Sequence, residues 1–258
     1  MVSEAIAVRK LTKTYAARQG SVVALEDISF SIGEAEFVAV VGPSGCGKST
    51  LLKILAGLLA TTMGEAFLRG SLISGPRRDI VVVFQAPVLF PWQTVLDNVL
   101  LPVDVQGLGR QAHERAALDL LRLVHLDGFE HRYPWELSGG MQQRVAITRA
   151  LIHDPAMLLM DEPFGTLDAM TREHMNLELQ RIWLEKRKTV LFITHSIPEA
   201  VFLADRVLVM TPRPGCIMDD VRVNIPRPRP LEVMNTPGFG EYVRVIRKQF
   251  NIRGGLDG

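Results

Sequence analysis

The sequence has few cysteines, no long apolar run and no excess of charge of either sign. Two cysteines, Cys46 and Cys216, occur in 258 residues, which excludes a disulfide framework and fits a reducing compartment. No apolar run approaches the roughly 18 residues that a membrane span needs, and the first residues lack the apolar stretch of a signal peptide. Lysine and arginine number 29 against 28 aspartates and glutamates, so the charge balance gives no support to a basic surface for nucleic acid. We expect a globular cytosolic protein without a nucleic-acid partner.

The chain is long for one compact domain and short for two. Its 258 residues suggest one domain with a large insertion, or a core with a small subdomain. Hydrophobic residues make up 47% and charged residues 22% of the chain. This composition can bury a core, and it excludes disordered and fibrous architectures.

Short continuous apolar runs recur along the chain and are separated by helical patterns. Because these runs do not alternate with polar residues, we expect both faces of each strand to be covered, as in a mostly parallel sheet. The predicted strands are residues 37–41, 80–84, 157–160, 189–194 and 206–210. The predicted helices are residues 49–59, 110–126, 139–152 and 171–186. The alternation predicts an α/β fold.

Three further regions differ from this core pattern. Residues 6–11, 22–25 and 28–32 predict short strands of an N-terminal antiparallel patch. Residues 87–153 contain two long helical patterns and no convincing strand, so they are the candidate helical subdomain, inserted between two core strands. We assign 4–225 to the main domain and 226–258 to a C-terminal extension, which is rich in proline and arginine and carries a helix over 239–250.

A glycine-rich loop directly follows the first core strand and precedes a predicted helix. It matches the phosphate-loop pattern G-x-x-x-x-G-K-[ST] in the structural context that the pattern requires. Its glycines let backbone N–H groups curl around phosphate oxygens, and the helix directs its positive end at the same anion. A chance glycine-rich turn without a ligand is the alternative. The candidate ATP-binding residues of the loop are Gly42, Pro43, Ser44, Gly45, Cys46, Gly47, Lys48, Ser49 and Thr50.

Three side chains of this loop have expected roles. Lys48 should reach the β- and γ-phosphates, and Ser49 should ligate Mg²⁺. We expect the helix end to lower the thiol pKa of Cys46, so that alkylation of Cys46 blocks nucleotide binding and ATP protects it.

Two carboxylates end the predicted strand 157–160. Burying Asp161 and Glu162 there is costly unless they have a function. Beside a phosphate loop, Asp161 suits the Mg²⁺ shell, and Glu162 could accept a proton from the attacking water or orient it. A solvated strand end is the alternative.

The segment 137–144, Leu-Ser-Gly-Gly-Met-Gln-Gln-Arg, resembles the signature sequence of the ABC (ATP-binding cassette) ATPases. The other family motifs follow in the expected order, and the resemblance covers roughly residues 4–215. It implies a P-loop NTPase of the ABC type, with a RecA-like core sheet, an antiparallel patch and an inserted helical subdomain. The residues that match the remaining motifs are Tyr15 (adenine stacking), Gln85 (Q-loop), Asp168 (D-loop) and His195 (switch histidine).

The resemblance also implies how the site is assembled. A head-to-tail homodimer would sandwich two Mg-ATP, each between the Lys48 loop of one copy and Ser138, Gly139 and Gly140 of the other. The implied catalytic residues are Lys48, Gln85, Glu162 and His195, and the implied Mg²⁺ ligands are Ser49, Gln85 and Asp161. Taken alone, Gln85 could be a strand-end side chain, His195 a surface histidine and Tyr15 a core residue.

Three departures from the commonest family pattern are visible, and they involve four residues. Met141 stands where glutamine is usual in the signature. Gly165 and Thr166 replace Ser-Ala before the D-loop, and Ser196 follows His195 where aspartate is frequent. The last two departures put details of subunit communication in doubt, but not catalysis.

Several stretches resemble the nitrate, sulfonate and taurine branch of ABC importers. They are residues 85–92, 95–99, 161–165 and 209–215. The branch implies an ATPase subunit on the cytoplasmic face of the inner membrane that docks near Gln85–Trp92 on separate permease chains and works indirectly with a solute-binding protein. Trp92 could instead pack inside the helical subdomain. A soluble ABC ATPase of DNA repair or translation is the alternative function, and nothing in the chain identifies the solute.

Overall fold

Two β-sheets form the framework of the computed structural model, which describes residues 4–17 and 20–252. The end of the predicted C-terminal extension, 253–258, lies outside the described residues. The strands are β1 (Glu4–Ala17), β2 (Gly20–Gly33), β3 (Phe37–Val41), β4 (Met63–Leu68), β5 (Ser71–Leu72), β6 (Ile80–Val83), β7 (Met157–Asp161), β8 (Thr189–Ile193), β9 (Arg206–Met210) and β10 (Ile217–Arg222). The α-helices are α1 (Lys48–Leu55), α2 (Val95–Gln106), α3 (Arg110–Leu123), α4 (Gly139–Leu151), α5 (Ala169–Lys186), α6 (Ile197–Leu203) and α7 (Pro237–Ile252).

The larger sheet has six strands in the order β10-β9-β3-β8-β7-β6. The five strands β9, β3, β8, β7 and β6 run parallel, and β10 pairs antiparallel with β9 at the edge. Every residue of β3 and of β8 is buried, as expected for continuous apolar strands covered on both faces. All five predicted core strands are present, with ends shifted by one residue at most. The sequence pattern missed β10, whose two aspartates hide its strand character.

The N-terminal sheet is antiparallel, with the order β2-β1-β4-β5. The prediction of three short strands was wrong, because β1 and β2 are each 14 residues long. Register shifts interrupt the pairing of β1 with β2, and Lys10 and Asp27 adopt positive φ angles of 47° and 46°. These irregularities break the alternation of side chains that would have identified each long strand.

Three α-helices, α2 to α4, occupy the connection from β6 to β7. The sequence pattern predicts only two there. Helix α2 was missed because its apolar residues run almost continuously and Pro102 lies inside it. Helix α6 was also missed, since seven residues give too short a periodic pattern. Within residues 4–17 and 20–252, no helix combines the length and apolar composition that a bilayer crossing requires.

The six-stranded sheet separates two hydrophobic clusters. Phe37, Ala39 and Val41 face the cluster that includes the helices α2 to α7. Val38 and Val40 face the other cluster, which joins α1 to the N-terminal sheet. The alternation of β3 side chains between these clusters fixes the strand in register.

A buried arginine links the segment after β10 to helix α6. Arg229 is 1% exposed, and its guanidinium donates to the carbonyl oxygens of Val201 at 2.8 Å and of Phe202 and Ala204 at 2.9 Å. These carbonyls lie at the end of α6, so Arg229 caps that helix. Burial lowers the pKa of Arg229 to about 10.

Candidate active site

The predicted site residues lie at the carboxyl ends of neighbouring parallel strands. The phosphate loop follows β3, Gln85 follows β6, Glu162 follows β7 and His195 follows β8. Parallel strands bring these ends to the same edge of the sheet, where ligands bind in open α/β folds. The topology therefore brings together groups that lie far apart in the sequence.

The phosphate loop closes around the ammonium group of its own lysine. Lys48 is 7% exposed, and its Nζ donates to the carbonyl oxygens of Gly42 at 2.8 Å and Pro43 at 3.1 Å. Gly47 has a φ of 109°, and a Cβ atom there would lie 2.6 Å from Leu25 Cδ2. Only glycine fits at this turn into α1, which begins at Lys48.

The expected direction of the Cys46 pKa shift was wrong, whereas the expected block of nucleotide binding by alkylation stays a prediction. Its side chain is 1% exposed, and burial raises the pKa of the thiol despite the nearby charge of Lys48. Desolvation disfavours the thiolate more than the ammonium group favours it. A buried thiol with a raised pKa is a poor nucleophile, so Cys46 is not the readily alkylated residue that its loop position suggested.

Ser49 and Asp161 form an oxygen-rich pair beside this loop. The Ser49 hydroxyl donates to Asp161 Oδ1 at 3.3 Å. Burial is the main cause that raises the pKa of Asp161, and the neighbouring charge of Glu162 adds to it. A cation at this position would compensate the buried carboxylate, and hydroxyl and carboxylate oxygens are ligands that Mg²⁺ prefers. The pair thus fits a magnesium ion.

Glu162 and His195 contact each other directly. His195 Nδ1 lies 3.0 Å from Glu162 Oε2. Glu162 has a φ of 47°, an unusual conformation for a residue with a Cβ atom. Its backbone N–H donates to Ile193 O at 2.9 Å, and its carbonyl accepts from Gly165 N at 3.0 Å. These two hydrogen bonds hold the strained residue and so aim its carboxylate.

A cavity of about 320 Å³ lies over the phosphate loop. Eight predicted site residues line it, namely Tyr15, Ser44, Gly45, Gly47, Lys48, Ser49, Thr50 and Glu162. Three lining residues were missed by the sequence reasoning, namely Val22, Ala24 and Arg213. The first two come from β2, which no chemical motif marks. Arg213 follows β9 and lies in the stretch 209–215, which the resemblance to importers had marked without giving Arg213 a role.

Tyr15 forms part of the wall of this cavity and is not a core residue. Its side chain is 40% exposed, and its hydroxyl lies 3.4 Å from Thr50 Oγ1. The ring is therefore available to a flat ligand group at the cavity mouth.

Gln85 lies beside the loop that follows β7. A Cβ atom at Gly165 would lie 2.9 Å from Gln85 Nε2, so the absence of a side chain at Gly165 leaves room for the glutamine. This gives a physical reason for one departure from the commonest family pattern. Ser196 has one too, because its side chain caps α6 by accepting from Glu199 N at 3.3 Å.

The signature residues lie outside the cavity over the phosphate loop. Ser138 caps α4, accepting from Met141 N at 3.4 Å, and Gly139 and Gly140 form the first turn of that helix. Asp168 caps α5, accepting from Thr171 N at 3.0 Å. Among the residues that the structure describes, none of these four predicted ATP-binding residues lines the Lys48 cavity. One copy of the chain therefore presents two separate groups of site residues.

Two aromatic rings are stacked after Gln85, one half-buried and one exposed. The rings of Phe90 and Trp92 are 5.1 Å apart between centroids, and Trp92 is 71% exposed. Buried Asn98 holds this segment, accepting from Phe90 N at 2.8 Å and donating to the carbonyls of Phe90, Gln93 and Thr94. Trp92 is thus a surface residue and does not pack inside the helices.

Comparison with known proteins settles the family. Residues 25–165 match the family model described as ABC transporter. The chain belongs to the ABC transporter family. The taurine import ATP-binding protein of Burkholderia thailandensis is 50% identical to it over 209 residues, which are 81% of this chain and 80% of that protein. The aliphatic sulfonates import ATP-binding protein of Bacillus cereus is 41% identical over 249 residues, which are 96% of this chain and 97% of that protein.

Two solved structures show the same fold. A dimeric structure of a bacterial ABC transporter cassette has a TM-score of 0.73 and 34% identity, and covers 85% of this chain and 99% of its own. A dimeric post-hydrolysis state of a cassette bound to ADP and phosphate has a TM-score of 0.72 and 33% identity, with the same coverage. The expected ABC-type ATPase fold is confirmed, as are ATP binding, ATPase activity and the resemblance to the sulfonate and taurine importer branch.

Proposed function

We propose that this ABC protein is the ATP-hydrolysing subunit of an importer and works as a homodimer that sandwiches two Mg-ATP. The observation that carries this proposal is the cavity that combines the Lys48 phosphate cradle with the Glu162 carboxylate. Transport would take a small anion, such as a sulfonate or nitrate, through separate permease chains. The importer names of the taurine and aliphatic sulfonate relatives support this choice of solute.

ATP binds through three parts of the cavity in this proposal. The adenine stacks on Tyr15, the backbone N–H groups of the loop from Gly42 to Thr50 surround the phosphates, and Lys48 reaches the β- and γ-phosphates. Lys48 then exchanges its hydrogen bonds to the Gly42 and Pro43 carbonyls for charge-assisted ones to phosphate oxygens.

Magnesium would be held by Ser49, Asp161 and Gln85. Its chemistry there is to polarise phosphoryl oxygens and to offset their charge. The 3.3 Å contact between Ser49 Oγ and Asp161 Oδ1 supports the first two ligands.

Hydrolysis requires a water molecule aligned with the γ-phosphorus. Glu162 accepts a proton of this water while the water oxygen forms a bond to the γ-phosphorus. The bond between the γ-phosphorus and the ADP oxygen breaks. His195 orients the Glu162 carboxylate through the 3.0 Å contact and would meet charge that develops on the γ-phosphate. Lys48 stabilises the charge that develops, and Gln85 orients the water.

The second copy supplies the missing half of each site. Ser138, Gly139 and Gly140 at the start of α4 would meet the γ-phosphate of the partner's ATP, and Asp168 would lie at the same interface. The dimeric cassettes among similar solved structures support this arrangement.

A membrane permease would dock on the exposed segment Gln85–Trp92. The stacked rings of Phe90 and Trp92 provide an aromatic anchor of the kind enriched at interfaces. The subunit would then lie peripherally on the cytoplasmic face of the inner membrane, and a solute-binding protein would be an indirect partner.

Co-purification tests this function. Tagged Glu162→Gln protein is expressed in its host, trapped with ATP and Mg²⁺, and extracted with mild detergent. We expect a polytopic membrane protein in stoichiometric amount, and less of it with the Trp92→Ala variant. Recovery of ribosomes or DNA without a membrane partner would instead favour a soluble ABC ATPase.

A further inference from the structure

Arg213 is a cationic side chain at the cavity that belongs to the stretch 209–215 but has no role assigned to it. It lies on the loop between β9 and β10 and lines the cavity together with Lys48 and Tyr15. Its Nη2 donates to Gly45 O of the phosphate loop at 3.1 Å. This partner is a carbonyl oxygen, so within the described residues four N–H donors of the guanidinium are left for other partners.

The backbone that carries Arg213 is fixed against the phosphate loop. Gly215 N donates to Ala24 O at 3.0 Å, and Glu26 N donates to Gly215 O at 3.0 Å. A Cβ atom at Gly215 would lie 2.1 Å from Cys46 O, so the two loops are in direct contact. Thr211 closes the turn by donating its hydroxyl to Pro214 O at 2.9 Å. Arg213 is therefore placed at the cavity by rigid surroundings, although its side chain is exposed.

We propose that Arg213 is a nucleotide-binding residue whose guanidinium pairs with phosphate oxygens of bound ATP. This inference rests on the proposed ATP site. The N–H groups of a guanidinium match the oxygens of a phosphate and bind them by charge-assisted hydrogen bonds. Arg213 already touches Gly45, a residue of the loop that surrounds the phosphates, so little movement is needed to reach them. Arg213 would add a second positive charge to that of Lys48 in a cavity that also contains Glu162.

Substitutions that separate charge from shape test this role. Arg213→Gln keeps a polar side chain but removes the charge, and Arg213→Lys restores the charge. Arg222→Gln is the matched control, since Arg222 is exposed on β10 and away from the cavity. The dissociation constants of ATP and of inorganic tripolyphosphate are measured for each protein by competition with a fluorescent ATP analogue, at low and high NaCl.

We expect Arg213→Gln to raise the dissociation constants of ATP and of tripolyphosphate by the same factor, about tenfold at low salt. High salt should shrink this difference, and Arg213→Lys should recover most of the affinity. Arg222→Gln should match the parent protein.

Any of three results would overturn the inference, the first by showing no effect and the other two by showing an effect of another origin. The first is an Arg213→Gln protein that binds both ligands as well as the Arg222→Gln control does. The others are a loss for ATP without a loss for tripolyphosphate and a salt-independent loss with a lower Tm, since neither comes from a phosphate contact. A parent protein that binds no ATP would instead refute the proposed function itself.

Discussion

Single residues at the ends of the parallel strands define the chemistry of this ABC protein. Glu162 has a left-handed backbone with a φ of 47° and is held by hydrogen bonds from both of its peptide groups. Such strain persists only where surrounding contacts enforce it. Because these contacts aim the carboxylate at His195 and into the cavity, the role of Glu162 is the most direct one to test at this scale.

Replacing Glu162 by glutamine should abolish most ATP hydrolysis. The amide keeps the shape of the side chain but cannot accept the proton of the attacking water. We expect turnover to fall by about 10²–10⁴-fold, with ATP binding retained. Phosphate release and ATP affinity are measured side by side, with exposed Glu185→Gln as the control. Turnover at the parent rate would refute the role of Glu162.

The buried Glu199 predicts a pH-dependent stability. Burial raises the pKa of its carboxyl, and among the described residues its Oε1 has no hydrogen-bond partner. The folded protein therefore binds more protons than the unfolded chain between the ordinary pKa of glutamate and the raised one. Stability falls as pH rises through this window, and the whole penalty is present above the raised pKa.

Glu199→Gln should remove this penalty while it still accepts the hydrogen bond from Thr194. At pH 8 we expect a higher Tm than that of the parent, by roughly 2–4 °C for each kcal/mol added to the free energy of unfolding. At pH 5 the difference in Tm should be smaller. This Tm difference is measured by thermal unfolding of the ligand-free proteins from pH 5 to 8. Glu114→Gln, at an exposed position, is the control. A difference that does not change with pH would contradict the explanation.

The sequence predicts some of these residues and not others, for physical reasons. The phosphate loop and the pair Asp161-Glu162 are recognisable because their chemistry needs contiguous residues beside a strand. The buried surroundings of Cys46 depend on distant segments, which is why its predicted pKa shift had the wrong sign. Arg213 reaches the cavity only because its loop pairs with β2, and sequence spacing does not contain that contact.

Secondary-structure elements act as supports for these residues. The continuous apolar strands were predictable, since burial on both faces leaves a clear pattern. Helix α2 was not, because Pro102 lies inside it and its apolar residues follow no clear helical period. It nevertheless positions the proposed docking segment, since Asn98 on α2 makes four hydrogen bonds to the backbone of residues 90–94.

Asn98→Ala should disorganise the proposed docking segment without touching the ATP site. The Phe90 N–H and the Gln93 carbonyl, both part-buried, lose this partner, whereas the Phe90 and Thr94 carbonyls keep backbone donors. An unsatisfied buried group costs about 1–3 kcal/mol, and a part-buried one costs less. We expect a lower Tm, near-normal ATPase activity of the isolated subunit and reduced co-purification of the permease. Val105→Ala, at an exposed position of α2, is the control. Full permease recovery with Asn98→Ala would show that the segment is not the docking site.

The whole molecule presents two groups of site residues that do not meet within one chain. The Lys48 cavity contains the phosphate loop and Glu162, whereas Ser138 caps α4 outside it. Each group includes the positive N-terminal end of a helix, α1 in the cavity and α4 at Ser138. A second copy turned head to tail would bring one helix end of each kind to every ATP. The nucleotide would then link the two copies, and hydrolysis would release them.

Nucleotide-dependent dimerisation of Glu162→Gln tests this account most directly. Two proteins are compared, the Glu162→Gln variant and the same variant with Ser138→Arg added, which would obstruct the γ-phosphate of the partner's ATP. The mass of each in solution is measured by light scattering with Mg-ATP and with Mg-ADP. The account predicts a dimer with ATP, a monomer with ADP, and a monomer with ATP when Ser138→Arg is added. A Glu162→Gln protein that binds ATP yet stays monomeric, or a dimer that Ser138→Arg leaves intact, would contradict it.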